Sequence, residues 1–418
     1  MPAISEPRRA IEAVWRIESA RLIAGLARVV RDVGLAEDLA QDALVAALEQ
    51  WPQSGVPENP GAWLMSVAKR RAIDALRRST RFARKHEELG RELELELNAA
   101  LAVTAADDDL GDDLLRLVFV CCHPVLSNGA RVALTLRMVG GLTTEEIARA
   151  FLVPVATIAQ RIVRAKRTLG EAGVPFEVPR AGELGARVAS VLEVIYLIFN
   201  EGYSATAGEH WTRPLLCEDA LRLGRMLAEL APKEPEVHGV VALMELQASR
   251  LRARIGRSGE PVPLLEQDRG RWDHVLIRRG LAALERAQRL GALGPYALQA
   301  AIAACHAQAR TPDQTDWRRI VALYDALAAL SASPVVELNR AVAVAMAFGP
   351  AEGLALVDRL SGEPSLAEYH LLPAVRADLL EKLDRPDEAR EEFVRAASLT
   401  RNARERALLL RRSAGPDR

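Results

Sequence analysis

Two short segments of this sequence concentrate basic side chains, which are the residues that bind nucleic-acid phosphates. Residues 69–85 carry eight lysines and arginines against the single acid Asp74. Residues 149–167 carry five basic residues and no acid. The whole chain has a net charge of only -1, so these segments are local features of a balanced protein. The pattern favours nucleic-acid binding at two separate places.

The four cysteines give little support to metal or disulfide chemistry. Cys121, Cys122 and His123 are adjacent, but neighbouring residues of a helix point about 100° apart, and no second pair of ligands follows. Four cysteines in 418 residues form no disulfide framework, which fits a reducing compartment. We expect the cysteine pair to pack in a core, and we expect neither a metal ion nor another cofactor.

Two polar clusters in the second half of the chain could line the pocket of an enzyme. One combines residues 200–203 with 210–211, and the other combines residues 267–269 with 272–274. Neither contains a nucleophile, a phosphate-binding loop or paired metal ligands. The sequence therefore predicts hydrogen-bonded anchors between helices at these clusters, and a protein that is not an enzyme.

Length and composition indicate several helical domains that position these groups. A chain of 418 residues suggests two to four domains at roughly 100 to 200 residues each. Only 4% of the residues are aromatic, while alanine, leucine, arginine and glutamate are common, which predicts an all-α fold. The sequence contains no membrane-length apolar run and no signal-peptide core near its start. We expect a cytoplasmic protein without a membrane partner.

An amphipathic helix is predicted before the first basic segment, over residues 34–51. Its apolar face repeats every four positions: Leu35, Leu39, Ala43, Ala47 and Trp51. Its other face is acidic or polar: Glu37, Asp38, Gln41, Asp42 and Glu49. Simple solvation could explain this second face as well as a binding role could.

The first basic segment lies on the next predicted helix. Asn59 can cap its start, and Pro60 suits a first turn that needs no N–H partner. Asp74 stands four residues from both Arg70 and Arg78, so an ion pair on the helix surface is its expected role. The residues predicted to face inward are Leu64, Ala68, Ala72 and Leu76.

The second basic segment ends a helix-turn-helix pattern. A helix is predicted over residues 127–139, and the glycine pair after it suits a C-cap. Residues 143–146 form a capping box that opens a short helix over residues 145–151. A basic helix over residues 155–169 follows, and the second helix of such a motif can enter a DNA major groove. Its inward-facing residues are predicted to be Ile158, Ile162 and Leu169.

From residue 180 the sequence predicts continuous helices with an internal repeat near the end. Small and large apolar residues follow the spacing of a tetratricopeptide helix pair at Ala377, Leu380, Ala389, Phe393 and Ala396. The same spacing occurs 36 residues earlier at Ala341, Val344, Gly353, Val357 and Leu360. A looser unit uses Ala304, Ile320, Tyr324 and Leu327. Such pairs stack and expose a concave surface that binds other molecules.

The order of these elements resembles a bacterial extracytoplasmic-function sigma factor, the promoter-recognition subunit of RNA polymerase. Residues 34–51 are similar to the polymerase-binding helix of sigma region 2, and residues 57–78 to the segment that reads and opens the -10 element. Residues 142–169 are similar to sigma region 4, which reads the -35 element. YLIFNEGYSA at residues 196–205 resembles the subgroup with a tetratricopeptide-like C-terminal extension.

The resemblance implies domains and functional residues. Region 2 would occupy residues 1–86, an acidic linker residues 87–111, region 4 residues 112–174, and the C-terminal domain residues 180–418. The polymerase-binding residues would be Glu37, Asp38, Gln41 and Asp42. The residues at the -10 element would be Trp63, Lys69, Arg70, Arg71, Arg77 and Arg78. The residues at the -35 element would be Arg149, Thr157, Gln160, Arg161, Arg164 and Lys166.

Core RNA polymerase and promoter DNA are the partners that the resemblance implies. The alternative is a ligand-gated transcription regulator with one helix-turn-helix and a helical sensor domain, which would never join polymerase. Residues 34–78 argue against that alternative, because such a regulator needs no second basic module beside an acidic helix. The sequence leaves open whether the C-terminal domain binds a protein or a small molecule, and Trp63 fits a core position as well as a DNA contact.

Overall fold

The computed structural model describes most of the chain, namely residues 6–82, 107–151, 153–205, 207–257 and 259–414. The chain divides into two compact units, residues 1–195 and residues 196–418. The first unit thus extends past residue 180, where the sequence places the start of the C-terminal domain. Both units are helical, which confirms the all-α fold class. Among the described helices, none is long and apolar enough to cross a membrane.

The first unit contains these helices: α1 (Glu6–Val30), α2 (Val33–Ser54), α3 (Pro60–Phe82), α4 (Asp107–Cys121), α5 (Asn128–Met138), α6 (Thr144–Phe151), α7 (Val155–Glu171) and most of α8 (Ala181–Tyr203). Helix α3 starts as predicted, because Asn59 Oδ1 accepts a hydrogen bond from Ala62 N at 3.0 Å. Asp32 caps α2 in the same way, by accepting from Leu35 N at 2.9 Å. Most of the acidic linker, and the expected Asp74 ion pair, lie outside what the structure describes.

Helices α6 and α7 form the predicted helix-turn-helix. The capping box is confirmed, since Thr143 Oγ1 accepts from Glu146 N at 3.1 Å and Glu146 Oε2 accepts from Thr143 N at 2.8 Å. Two glycines make the preceding turn possible. Gly141 has a φ of +70°, and a side chain at Gly140 would stand 2.4 Å from the Leu136 carbonyl oxygen. The predicted inward residues of α7 are buried.

The first half of α8 packs on α4 and α5 within the first unit. Arg187 donates to the carbonyl oxygen of Phe119 at 2.6 Å. The Ser190 hydroxyl donates to the Cys122 carbonyl oxygen at 2.6 Å and accepts from the buried Arg131 at 2.5 Å. The helix that follows the helix-turn-helix therefore satisfies buried polar groups of α4 and α5.

The cysteine pair lies in the core of this unit, as predicted. The Cys122 thiol contacts Thr135 Oγ1 at 3.3 Å. Burial raises the pKa of the Cys122 thiol to about 11, and it also raises the pKa of Cys121. Both thiols are therefore protonated at neutral pH and pack as small apolar groups.

The second unit continues from the end of α8 with these helices: α9 (Pro214–Leu230), α10 (Pro235–Ala248), α11 (His274–Leu290), α12 (Pro295–Gln308), α13 (Trp317–Leu330), α14 (Pro334–Phe348), α15 (Pro350–Leu360), α16 (Leu371–Lys382), α17 (Pro386–Leu399) and α18 (Ala403–Ser413). Short 3-10 turns occur at Leu264–Glu266, Arg269–Arg271, Pro312–Gln314 and Pro364–Leu366. Six of these ten helices start with proline, which suits the first position of a helix and explains where they begin.

The predicted repeat corresponds to the pairs α14–α15 and α16–α17. All five residues predicted for the second pair are buried. In the first pair, a side chain at Gly353 would stand 2.4 Å from Ala345 Cβ, so α14 and α15 touch through their backbones at this point. The helix pairs of the second unit stack in the manner expected of a helical repeat.

Asn402 joins the beginning of the second unit to its end. Two-residue strands β1 (Ala207–Gly208) and β2 (Arg401–Asn402) pair in parallel. The buried Asn402 side chain donates from Nδ2 to the carbonyl oxygens of Ala205 at 3.0 Å and His210 at 2.9 Å. Its Oδ1 caps α18. One side chain thus uses its full hydrogen-bonding capacity to close the unit.

Candidate nucleic-acid interface

Helix α7 presents a polar outer face. Gln160, Arg161 and Arg164 are exposed, and Thr157 beside them is half-buried. Neither Arg161 nor Arg164 forms an ion pair with any residue that the structure describes. The opposite face of α7 packs through Ile158, Ile162, Ala165 and Leu169. Gln160, Arg161 and Arg164, which the sequence predicts at the -35 element, therefore lie together on one exposed face of α7.

Lys166 does not share this face. Its ammonium group pairs with Glu37 and lies 3.3 Å from Asp38 Oδ1, and its side chain is 19% exposed. Arg149 lies on α6, and its side chain is outside the described part of the structure. Of the six residues predicted at the -35 element, Gln160, Arg161 and Arg164 thus form one exposed surface beside the half-buried Thr157, and Lys166 lies between two helices.

Glu37 is buried, although the sequence groups it with exposed acids. Arg137 on α5 donates from Nε to Glu37 Oε1 at 2.8 Å, and Gln41 donates to the same oxygen at 2.8 Å. Burial opposes the charge of this carboxylate, but the adjacent Lys166 and Arg137 outweigh that effect and lower its pKa. Glu37 is therefore ionised at neutral pH and neutralised within its own chain.

The other acids of the α2 face remain accessible. The side chains of Asp38 and Asp42 are 75% and 53% exposed. Asp42 forms an exposed ion pair with Arg71 of α3 at 3.0 Å. Exposed pairs of this kind contribute little to stability and open readily to a new partner.

Helix α3 combines a half-buried tryptophan with basic side chains. Trp63 packs edge-to-face on the buried Trp51, with ring centroids 5.2 Å apart, so it belongs partly to the core. Arg70 is exposed, and burial lowers the pKa of the half-buried Lys69. Arg77 and Arg78 lie on α3, but their side chains are outside the described part.

A second ion pair, between Arg28 and Asp113, also joins the predicted region 2 to the predicted region 4. Arg28 Nε of α1 lies 3.3 Å from Asp113 Oδ2 of α4, and the Asp113 side chain is completely buried. Arg116 Nη1 donates to its other oxygen at 2.6 Å. From the sequence alone, Asp113, Arg28 and Arg137 had no predicted role. Their partners are 85 to 100 residues away, so no local pattern could have identified them.

Family models match three parts of the chain. Sigma-70 region 2 matches residues 17–82, and Sigma-70 region 4 matches residues 116–169. A family of unknown function, DUF6596, matches residues 187–288. The first match covers most of α1 to α3, and the second covers α5 to α7 with part of α4.

Curated relatives decide the family. The chain is 30% identical over 148 residues to the ECF RNA polymerase sigma factor SigK of Mycobacterium ulcerans (strain Agy99), covering 34% of this chain and 75% of that protein. The chain belongs to the ECF RNA polymerase sigma factors. This sigma factor is also 46% identical over 385 residues to Uncharacterized protein R00370 of Rhizobium meliloti (strain 1021), covering 92% of this chain and 90% of that protein.

A further relative is matched over a smaller share of its length. The sigma factor is 26% identical over 171 residues to the Probable ECF RNA polymerase sigma factor SigI of Mycobacterium tuberculosis (strain CDC 1551 / Oshkosh), covering 41% of this chain and 58% of that protein. No solved structure matches it. As a sigma factor with regions 2 and 4, the protein binds DNA, recognises promoters and acts in transcription initiation, and it carries a C-terminal helical extension.

Proposed function

We propose that this sigma factor joins core RNA polymerase through the exposed face of α2. It then directs the polymerase to promoters by reading the -10 element with α3 and the -35 element with α7. The observation that carries this proposal is the outer face of α7, where Arg161 and Arg164 are exposed beside Gln160. Arginine and glutamine are side chains that read guanine and adenine edges in a major groove.

Asp38 and Asp42 are the docking residues that we assign to α2, because their carboxylates are exposed and can face a basic polymerase surface. Glu37, unlike Asp38 and Asp42, is buried and paired within the chain. It reaches polymerase only after leaving Arg137 and Lys166, so polymerase binding and the contact between regions 2 and 4 compete. Gln41 donates a hydrogen bond to Glu37 while regions 2 and 4 are in contact.

At the -10 element, we assign strand contacts to Lys69, Arg70, Arg71, Arg77 and Arg78. Arg71 is available once its exposed pair with Asp42 opens. Trp63 lies half-buried on the same helix as these basic residues, and we assign its ring to unpaired bases, because aromatic rings with basic neighbours bind such bases. Lys166, like Glu37, reaches its partner after regions 2 and 4 separate, and Arg149 and Thr157 complete the -35 surface.

Transcription in vitro tests this proposal. The purified protein and core polymerase from the same organism are incubated with genomic fragments, and the transcripts are mapped. We expect discrete start sites that depend on the protein and on sequences near -35 and -10. A regulator that never joins polymerase would give no such transcripts and would not co-purify with the core enzyme, which would contradict the proposal.

For the C-terminal extension, we propose a role in activity: it braces the polymerase complex and is not a free inhibitory arm. The test compares residues 1–195 with the full chain in transcription. The fragment should end at residue 195, because a fragment that ends before α8 would lack the contacts of Arg187 and Ser190 to Phe119, Cys122 and Arg131. We expect a large loss of transcription with a folded fragment. A gain would indicate self-inhibition instead.

The proposal includes a cytoplasmic location and no enzymatic activity, since the protein would work as a subunit of polymerase at promoters. Cell fractionation checks the location. Recovery in the fraction that contains core polymerase is expected, and recovery only in the membrane fraction would contradict it.

A further inference from the structure

Three arginines of the second unit surround two aromatic rings. The ζ carbon of Arg254 lies 3.7 Å from the Tyr203 ring centroid, and that of Arg269 lies 4.8 Å from the Trp272 centroid. The ζ carbon of Arg250 lies 5.9 Å from both centroids. The Arg250 guanidinium is therefore flanked by two rings, each of which already carries another guanidinium.

No carboxylate in the described ranges forms an ion pair with Arg250, Arg254 or Arg269. Asp313 acts on Arg269 only from beyond ion-pair distance. Burial, followed by the charge of Arg250, lowers the pKa of Arg269, and the same two causes lower the pKa of Arg254. Three like charges are thus held together without an ion-pair partner among the described residues, which is costly for partly buried groups.

The cluster also leaves buried donors without acceptors. The Nε atoms of the three arginines and Nε1 of Trp272 have no hydrogen-bond partner among the described residues, and Trp272 is only 4% exposed. Each of these atoms can only donate. His306 is 8% exposed and has an unpartnered Nδ1, while burial and the charges of Arg250 and Arg269 lower its pKa to about 4. His306 is therefore neutral at neutral pH and adds no positive charge.

Anchoring between helices explains part of this cluster but not Arg250. Arg269 donates to the carbonyl oxygens of His306 and Ala309, each at 2.6 Å, as the sequence predicts for an anchor. Arg254 donates to the Tyr203 carbonyl oxygen at 3.2 Å. The Arg250 side chain donates to none of the described residues. The Arg250 guanidinium therefore contacts two aromatic rings but donates no hydrogen bond within the described part of the chain.

We propose that Arg250, Arg254 and Arg269 form a binding site for a small oxyanion, a phosphate or carboxylate group, with Arg250 as its main contact. Guanidinium groups bind both anions through paired hydrogen bonds. Such a ligand neutralises the three charges and accepts from the buried donors, including Trp272 Nε1. The burial of Trp272 and His306 restricts the ligand to a small molecule. This site goes beyond the proposed function and does not depend on it.

Thermal unfolding and calorimetry of the full chain test the site. The protein in a buffer free of phosphate and carboxylate receives inorganic phosphate, malonate or, at equal ionic strength, chloride. We expect phosphate or malonate to raise the Tm well beyond chloride, since a ligand that binds only the folded state stabilises it. A response to phosphate alone identifies a phosphate site, and a response to malonate alone identifies a carboxylate site. No rise beyond chloride with either anion overturns the proposal.

Two variants separate a ligand site from a structural cluster. Arg250→Gln is expected to abolish the anion-dependent rise and to weaken binding in calorimetry at least tenfold. Without anion, its Tm should equal or exceed that of the wild type, because one of three repelling charges is gone. Arg252→Gln, an exposed neighbour two residues away, is the matched control and should respond like the wild type. Anion binding by Arg250→Gln with wild-type affinity overturns the assignment. If this variant does not fold, Arg250→Lys should keep the fold and bind more weakly.

Discussion

Arg137 donates from Nε to Glu37 Oε1 at 2.8 Å and so joins region 4 to region 2. Lys166 pairs with the other carboxylate oxygen. Two cations from different helices of region 4 therefore hold one acid of the predicted polymerase-binding helix. The same acid cannot face polymerase while these pairs persist.

Glu37→Gln should lower the free energy of unfolding by about 2 kcal/mol at neutral pH, because Arg137 and Lys166 lose their counter-charge. The lowered pKa of Glu37 means that its contribution is complete above the ordinary value of 4.5 and is lost as the pH falls through the folded-state pKa. Urea unfolding at several pH values measures the difference. Asp38→Asn, at an exposed neighbour, should change stability little, and an equal loss in both variants would contradict the prediction.

Reversing two exposed acids of α2, Asp38→Arg with Asp42→Arg, should abolish co-purification with core polymerase. The reversed charges would repel a basic docking surface and would also face Arg71 and Lys166. Circular dichroism should show unchanged helical content. Glu177→Arg, at an exposed acid outside α2, serves as the control and should still bind polymerase. Wild-type affinity in the double variant would remove the docking role from this face.

Alanine at Arg161 or Arg164 should reduce transcription from a promoter that depends on its -35 element. The loss should be about 1 to 3 kcal/mol in binding for an arginine bidentate to guanine, and less for a phosphate contact. Arg167→Ala is a matched comparison on the same helix, because Arg167 is exposed but already pairs with Glu171 at 2.6 Å. Footprints and transcript levels give the measurement. If both alanine variants behave like the wild type, α7 is not the recognition helix.

Asn402→Ala should lower the stability of the second unit by about 2 to 3 kcal/mol. The change removes the cap of α18 and leaves the buried carbonyl of Ala205 without its donor. Arg401→Ala, at the exposed preceding residue, should be nearly neutral. Thermal unfolding of the two variants checks the difference. A similar Tm for both variants would show that the hydrogen bonds of the Asn402 side chain contribute little to stability.

Local patterns allowed correct prediction of much of the fold. The Thr143–Glu146 capping box, the Asn59 cap and the small residues of α16 and α17 each depend on neighbours within a few residues, so the sequence contains the whole signal. The helical period could also have predicted that Lys166 faces away from Arg161 and Arg164, since it lies on a different side of the helix from both.

Long-range partners could not be predicted in the same way. Glu37 has the pattern of an exposed acid, and only the folded chain brings Arg137 to it from 100 positions away. Long-range contacts also explain why the first unit extends to residue 195, beyond the boundary predicted at residue 180. Ser190 stands in a helix that the sequence assigns to the C-terminal domain, yet its hydroxyl bonds to Cys122 and Arg131, about 60 to 70 positions earlier.

The hydrogen bonds from Asn402 to Ala205 and His210 can form only after the ribosome has added residue 402. Ala205 and Asn402 are 197 residues apart, and at about 5 to 20 residues per second the ribosome adds Asn402 about 10 to 40 s after Ala205. During that interval, residues 205–210 lack their hydrogen-bond partners while regions 2 and 4 are already complete. The two sigma regions can therefore fold on the nascent chain before the C-terminal extension closes.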